Sequence, residues 1–215
     1  MRKSKGIKEF CRLVLLAGLC LSRLMAESGK PNIIWIMAED MGTDLGCYGT
    51  AGVKTPNLNK IAREGVLYER AYCPSPICSP NRSSMMVGVH QTVIDAHHHR
   101  SNRGVPLKAP YKPITSLLRD VGYNCLLGHD KVMRKGTKTD CNFKHKAIGD
   151  WDGKKRFGLF DKIGSFSAAD QPFFNQIQLV VTHRGDWWNG VRKASKDPVS
   201  LDEIELPPYF ADTPE

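Results

Sequence analysis

Cys78 heads the run Cys78-Ser79-Pro80-Asn81-Arg82, in which a proline at the third position suits the first turn of a helix. A cysteine just before such a helix sits at the positive end of the helix dipole, which favours negative charge there. The competing reading is a buried structural thiol. Arg82, four residues on, falls one turn along the same face. Glu39 and Asp40 are adjacent carboxylates that repel unless a divalent ion neutralises them. They read either as a hard-cation site or as a solvated pair of loop acids. In His97-His98-His99-Arg100 successive side chains point in different directions, so the three imidazoles do not share one ion. The run reads as a loop at a pocket mouth contacting an anionic substrate, or as a solvated loop. Trp187-Trp188 offers a sugar-stacking platform or buried packing.

The elements that must hold these residues follow from local pattern. Pro31–Ala38 is a short apolar run ending in Glu39-Asp40 and then Gly42, the pattern of a buried parallel strand with acids at its carboxyl end, where open α/β sheets bind ligands. Thr55 as cap, Pro56 in the first turn and Gly65 as stop define a helix whose apolar face is Leu58, Ile61 and Ala62. Val66–Tyr72 reads as a second strand, and Pro80–Gly88 and Pro113–Gly122 as helices. The latter carries Ile114, Leu117, Leu118 and Val121 at helical spacing. Tyr123–Leu127 and Phe173–Thr182 read as strands. The pattern loosens from Gly128 to Ser167 and again after Trp188, and Leu206–Pro214 reads as extended chain. Alternating strands and helices predict a layered α/β domain.

The 215 residues, 41% hydrophobic and 25% charged, suffice for one domain with a sizeable core. The net charge of +9 is concentrated at the start: residues 1–26 hold six basic residues and one acid, leaving +4 on the remainder. No nucleic-acid partner is indicated. Residues 1–26 read as a secretory signal peptide: a basic beginning, an apolar stretch from Leu13 to Leu21 too short to span a bilayer, and Ala26 before the cut. Leu24 is large for the third position before that cut. Leu19 is too bulky before Cys20 for a lipoprotein signal, so no stable membrane insertion is expected. Cleavage leaves five of seven cysteines, an odd number without zinc-site spacing, most of them read as small buried hydrophobes.

Together the motifs are more specific than singly. Cys78-Ser79-Pro80-Asn81-Arg82, continuing to Gly88, resembles the Cys-x-Pro-x-Arg signature of the type I sulfatases. Asn32–Gly49 resembles their opening strand and acidic motif, and Thr55–Leu58 their next helix. Lys138-Thr139-Asp140 and Thr182-His183 resemble two further active-site motifs, and Leu206–Pro214 a linking segment. The resemblance spans about residues 30 to 214. It implies an alkaline-phosphatase-like layered sandwich with a mostly parallel central sheet. It also implies a formylglycine made from Cys78 by a maturation enzyme, whose hydrate stands beside calcium, with magnesium as the alternative. In the family one hydroxyl of that hydrate attacks sulfur; the other then loses its proton, and collapse to the aldehyde expels sulfate. A thiol or single hydroxyl would be left sulfated with no easy exit. By motif, Glu39, Asp40 and Cys78 are metal ligands. Arg82 stabilises the diol, Lys138 binds sulfate, and His183 contacts sulfate or protonates the leaving group. His99, Arg100 and Asp140 are expected at the substrate. No separate organic cofactor is implied.

Several positions depart from the family pattern. Glu39 stands where many members have Asp, Asn81 replaces Ser or Ala, Val87 replaces Thr or Leu, and Asp140 occupies a common His position. Lys131 rivals Lys138 for the sulfate contact. No later motif supplies the further Asp, Asn or His, and Lys of the family. The expectation is therefore a signal peptide at 1–26 followed at 27–215 by the N-terminal part of a catalytic domain, truncated after roughly its first half. The expected protein is exported to the periplasm or secreted, and hydrolyses sulfate esters or sulfamates of a sulfated small molecule or polysaccharide. The alternatives are a non-catalytic sulfatase-like binding protein, and a phosphatase or phosphodiesterase of the same superfamily.

Overall fold

The computed structural model describes residues 29–129, 138–145, 159–185, 188–211 and 213. The leader read at 1–26, the rival Lys131 and Trp187 lie outside them. Strands β1 (Ile33–Ala38), β2 (Asn124–His129), β3 (Lys162–Ile163) and β4 (Phe173–Leu179) form one sheet in the order β1-β4-β2-β3, with every pair parallel. Ile33 faces Phe174 and Ala38 faces Leu179, so β1 and β4 end side by side. Parallel neighbours need crossovers. Helices α1 (Pro56–Glu64), α2 (Cys78–Val87) and α3 (Ile114–Asp120) fall between β1 and β2, and α4 (Trp188–Ala194) follows β4.

The hydrophobic core of the unit Ile33–Glu215 lies on one face of this sheet. Cys125 and Leu127 of β2 and Phe174 of β4 meet Met86 of α2 and the buried Tyr123, Cys141, Phe143, Leu159 and Phe160. Ile33, Trp35 and Leu118 pack against them. Face alternation along a strand explains which residues are chosen.

Several expectations change. β1 is an edge strand rather than a fully buried one: Ile34 and Ile36, on the face away from the core, are 50% and 52% exposed. Val66–Tyr72 is not a strand; Val66 and Tyr72 stand 76% and 86% exposed, and the four strands of the sheet lie elsewhere in the chain. Val66, Tyr68 and Tyr72 stay exposed, and β-propensity, which is mostly packing, does not by itself make a strand there. In α3 the face is rotated: Thr115 and Arg119 are buried while Leu117 and Val121 face solvent. Arg119 Nε bonds Asp161 Oδ1 at 2.8 Å, and Asp161 Oδ2 accepts the Cys125 N–H at 2.7 Å, so an ion pair to β2 sets the rotation. In α1 Ile61 is exposed, and Thr55 does not cap with its side chain. Its hydroxyl accepts from the Gly46 N–H at 3.0 Å and bonds Asn59 Oδ1 at 2.9 Å.

Candidate active site

The carboxyl ends of β1 and β4 carry the site. The β1–β4 ladder extends one step further, the Glu39 N–H donating to the Leu179 carbonyl at 3.2 Å. β4 then ends in a 3-10 turn at Val180–Thr182, short of the strand read to Thr182, and His183 follows directly. Asp40 adopts a left-handed backbone, φ 46°, a conformation Asp tolerates better than most residues. Its Oδ2 accepts the Arg184 N–H at 3.1 Å and lies 4.0 Å from His183 Nε2.

Helix α2 delivers Cys78. It starts at Cys78 itself, two residues before the start read from Pro80. Ile77 before it is extended, and Gly88, at φ 75°, ends it in the left-handed conformation that glycine takes without steric cost. Cys78 is thus the first helical residue, partly exposed at the positive end, while Ser79, Pro80, Arg82, Ser83 and Ser84 are buried beneath it. Glu39, Asp40, Cys78, Asn81 and Arg82 line one cleft of about 360 Å³.

Arg82 ties the site together. It is 5% exposed, and one of its terminal nitrogens donates both to Glu39 Oε1 and, at 2.8 Å, to Gln178 Oε1. The other donates to the Lys138 carbonyl at 3.2 Å. Glu39, 6% exposed, also meets Lys138 Nζ at 3.4 Å through its other oxygen. Lys138 Nζ is in turn 4.0 Å from Asp140 Oδ2. Asp140 Oδ1 pairs with Arg103 and lies 3.5 Å from Arg100 Nε. The four residues His97 to Arg100 do not gather round an ion. The imidazoles of His97 and His98 lie 4.2 Å apart, and all four residues are exposed. The loop is instead seated on α2, with the Arg100 N–H donating to Ser79 Oγ at 2.7 Å and His99 Nδ1 lying 3.2 Å from that oxygen.

One group of three side chains among the described residues can hold an ion: the ligand atoms of Glu39, Cys78 and His183 lie within 4.8 Å of one another. Asp40 lines the same cleft but falls outside this group, and His183, read as a sulfate or leaving-group contact, falls inside it. A carboxylate, a sulfur and an imidazole suit a softer ion than calcium; with Cys78 converted to a carbonyl hydrate the sulfur becomes oxygen and the set hardens. His183 Nδ1 bonds the Arg184 carbonyl at 2.7 Å, which makes Nε2 the ring atom that can present a lone pair.

Sequence reading missed four contributors. Gln178, fully buried in β4, carries a signal of its own: Asn175, Gln176 and Gln178 are polar residues inside a strand that begins Phe173-Phe174 and ends at Leu179. Arg103, Asn142 and Ser79 carried none, because each acts through a fold-dependent contact. Trp188 is half exposed, its indole N–H donating to the His183 carbonyl at 2.8 Å, so it supports the site rather than packing in the core. Of the five described cysteines, all free thiols, Cys125 and Cys141 are buried, and burial pushes both up to about 12; Cys73 is exposed.

The Sulfatase family model matches residues 31–200. The chain belongs to the sulfatase family. It is 31% identical over 192 residues to an ulvan-active sulfatase of Formosa agariphila, covering 85% of this chain and 29% of that protein. It is 44% identical over 190 residues to the N-acetylgalactosamine-6-sulfatase of Rattus norvegicus, covering 80% and 32%. The chain thus spans about a third of the length of these curated relatives. Among solved structures it is similar in fold to BT4656 in complex with its substrate D-glucosamine-2-N,6-O-disulfate. That match has a TM-score of 0.50 and 17% identity, over 74% of this chain and 35% of the other. The parallel sheet with its helices is the alkaline-phosphatase-like α/β arrangement of sulfatase structures.

Proposed function

We propose that the chain carries the nucleophile half of a sulfatase site that hydrolyses sulfate esters of carbohydrates, releasing an alcohol and sulfate with the consumption of one water. The observation that carries this reading is the convergence of Glu39, Cys78 and His183 at the carboxyl ends of two parallel strands, with Arg82 and Lys138 beside them. The names of the two curated relatives favour a sulfated saccharide as substrate.

Cys78, matured to formylglycine and hydrated, supplies the attacking oxygen. Lys138 offers an ammonium to the sulfate oxygens. Arg82, held by Gln178 and the Lys138 carbonyl, keeps a fixed positive charge under them, the preorganised electrostatics on which such transfers depend. His183, steered by the Arg184 carbonyl, gives up a proton to the departing oxygen. Glu39, Asp40 and position 78 would hold a calcium or magnesium ion. When bound, such an ion polarises sulfate oxygens. The maturation enzyme and export to the periplasm or beyond belong to the same proposal.

The test is turnover of 4-nitrophenyl sulfate by the chain produced together with a formylglycine-generating enzyme. Release of nitrophenol that drops to background in Cys78→Ala is expected. Turnover that survives Cys78→Ala, or a faster reaction with 4-nitrophenyl phosphate, contradicts the reading.

A further inference from the structure

Beside the cleft at Cys78 lies a second one of about 540 Å³, lined by Arg100, Arg103, Lys138, Thr139, Asp140 and His145. Its size lies in the range of small-molecule sites. Lys138 lines this second cleft, 4.0 Å from Asp140 Oδ2, and also reaches Glu39 Oε2 of the first at 3.4 Å. Ser79, next to Cys78, holds the Arg100 backbone at 2.7 Å, so the basic loop is tied to the helix that presents the nucleophile.

The charges do not balance. Among the described residues lining the second cleft, one carboxylate, Asp140, faces three cations: Lys138, Arg100 and Arg103. Lys138 shares Glu39 with Arg82, while Arg103 pairs with Asp140 directly and Arg100 shares that carboxylate. Both arginines are about half exposed, and each directs a nitrogen at the same oxygen, Asp140 Oδ1. This fixes their planes while leaving further N–H groups of each guanidinium for an incoming anion. Asp140 Oδ2, in a side chain only 6% exposed, has no hydrogen-bond donor among the described residues. His145 bonds the Phe143 carbonyl at 2.7 Å and lies 3.2 Å from the Thr139 hydroxyl, bracing the floor between Lys138 and Asp140.

We infer that this second cleft takes another acidic group of the same substrate, so that the chain selects saccharides bearing a second sulfate or a carboxylate within one sugar unit of the ester at Cys78. The inference rests on the sulfatase reading for the first group and on the arginine pair for the second. Sulfate and carboxylate share the two-oxygen edge that a guanidinium grips, and a neutral sugar offers nothing equivalent.

Calorimetric titration of the matured chain in low salt with three probes tests this: galactose 6-sulfate, galactose 2,6-disulfate, and galactose 6-sulfate linked to glucuronic acid. At least one doubly charged probe is expected to bind about tenfold tighter than the singly charged one, a modest factor because the arginines are partly solvated and screened. Which of the two gains identifies the acid. Arg100→Ala and Arg103→Gln, each checked for folding by circular dichroism, are expected to bring the ratio close to one. Equal binding of all three probes, no binding of any, or a ratio that survives both substitutions overturns the inference. Hydrolysis followed in the same samples separates the two readings. A ratio of one with hydrolysis removes only the second cleft, and an arginine-dependent ratio without hydrolysis removes only the sulfatase assignment.

Discussion

Arg82 and Glu39 are both almost fully buried and pair with each other. Taking two charges out of water is costly, and removing one partner leaves the other unpaired at a cost of about 3–5 kcal/mol. Arg82→Ala is therefore expected to lower unfolding stability by about 3 kcal/mol in urea titrations, besides removing activity. A loss under 1 kcal/mol would mean that Lys138 alone neutralises Glu39. His145 gives a prediction in pH. Burial holds its pKa below the ordinary 6.5, so the unfolded chain binds its proton more readily. Stability from this residue is complete above that ordinary value and is lost as pH falls through it. The urea midpoint should fall between pH 7 and pH 5, and His145→Gln should flatten that slope. Cys78, Glu39, Asp40 and Arg82 were legible in the sequence because reactive types at fixed spacing sit at strand and helix ends. Arg103 and Asn142 were not, since their partners are 37 and 59 residues away in sequence.

At the scale of elements, α2 and the loop after it are joined through Asn142. Its backbone N–H donates to Ser83 Oγ at 2.8 Å, and its side-chain amide donates to the carbonyls of Ala96 and His98 at 2.9 and 2.6 Å. Asn142→Ala strips donors from these two carbonyls. About 2 kcal/mol of stability should be lost, with faster amide exchange across residues 96–100 as the readout of the loop coming free. Exchange unchanged there would show that Ser79 alone holds the loop. Sequence pattern located β1, α1, α2, α3, β2 and β4, because proline, glycine and apolar runs punctuate them. It mistook which faces are buried. α3 has apolar residues at helical spacing, yet its orientation is set by the Arg119–Asp161 pair, a long-range contact that no periodicity reveals. The two-residue β3 carries too few residues for a period to emerge, and α4, the run Trp-Asn-Gly-Val-Arg-Lys-Ala, has a glycine at its third position and few apolar residues to mark a face.

At the scale of the molecule, Ile34, Ile36, Ile61, Val66, Tyr68 and Tyr72 are exposed, an unusual amount of large apolar surface. The chain is expected to self-associate at micromolar concentration in moderate salt, seen as a rising sedimentation coefficient. Val66→Lys with Ile61→Glu should reduce it, and concentration-independent sedimentation of the unaltered chain would contradict the expectation. No helix among the described residues is long and apolar enough to cross a membrane, so that surface is not a helical span. The central claim concerns one side chain: Cys78 is the residue converted into the nucleophile. The most direct measurement is the mass of the peptide bearing Cys78 after production with a formylglycine-generating enzyme. Replacing sulfur and two hydrogens by one oxygen should lower it by about 18 Da. An unmodified thiol at Cys78, in a preparation where the same enzyme converts a control peptide, would contradict the account.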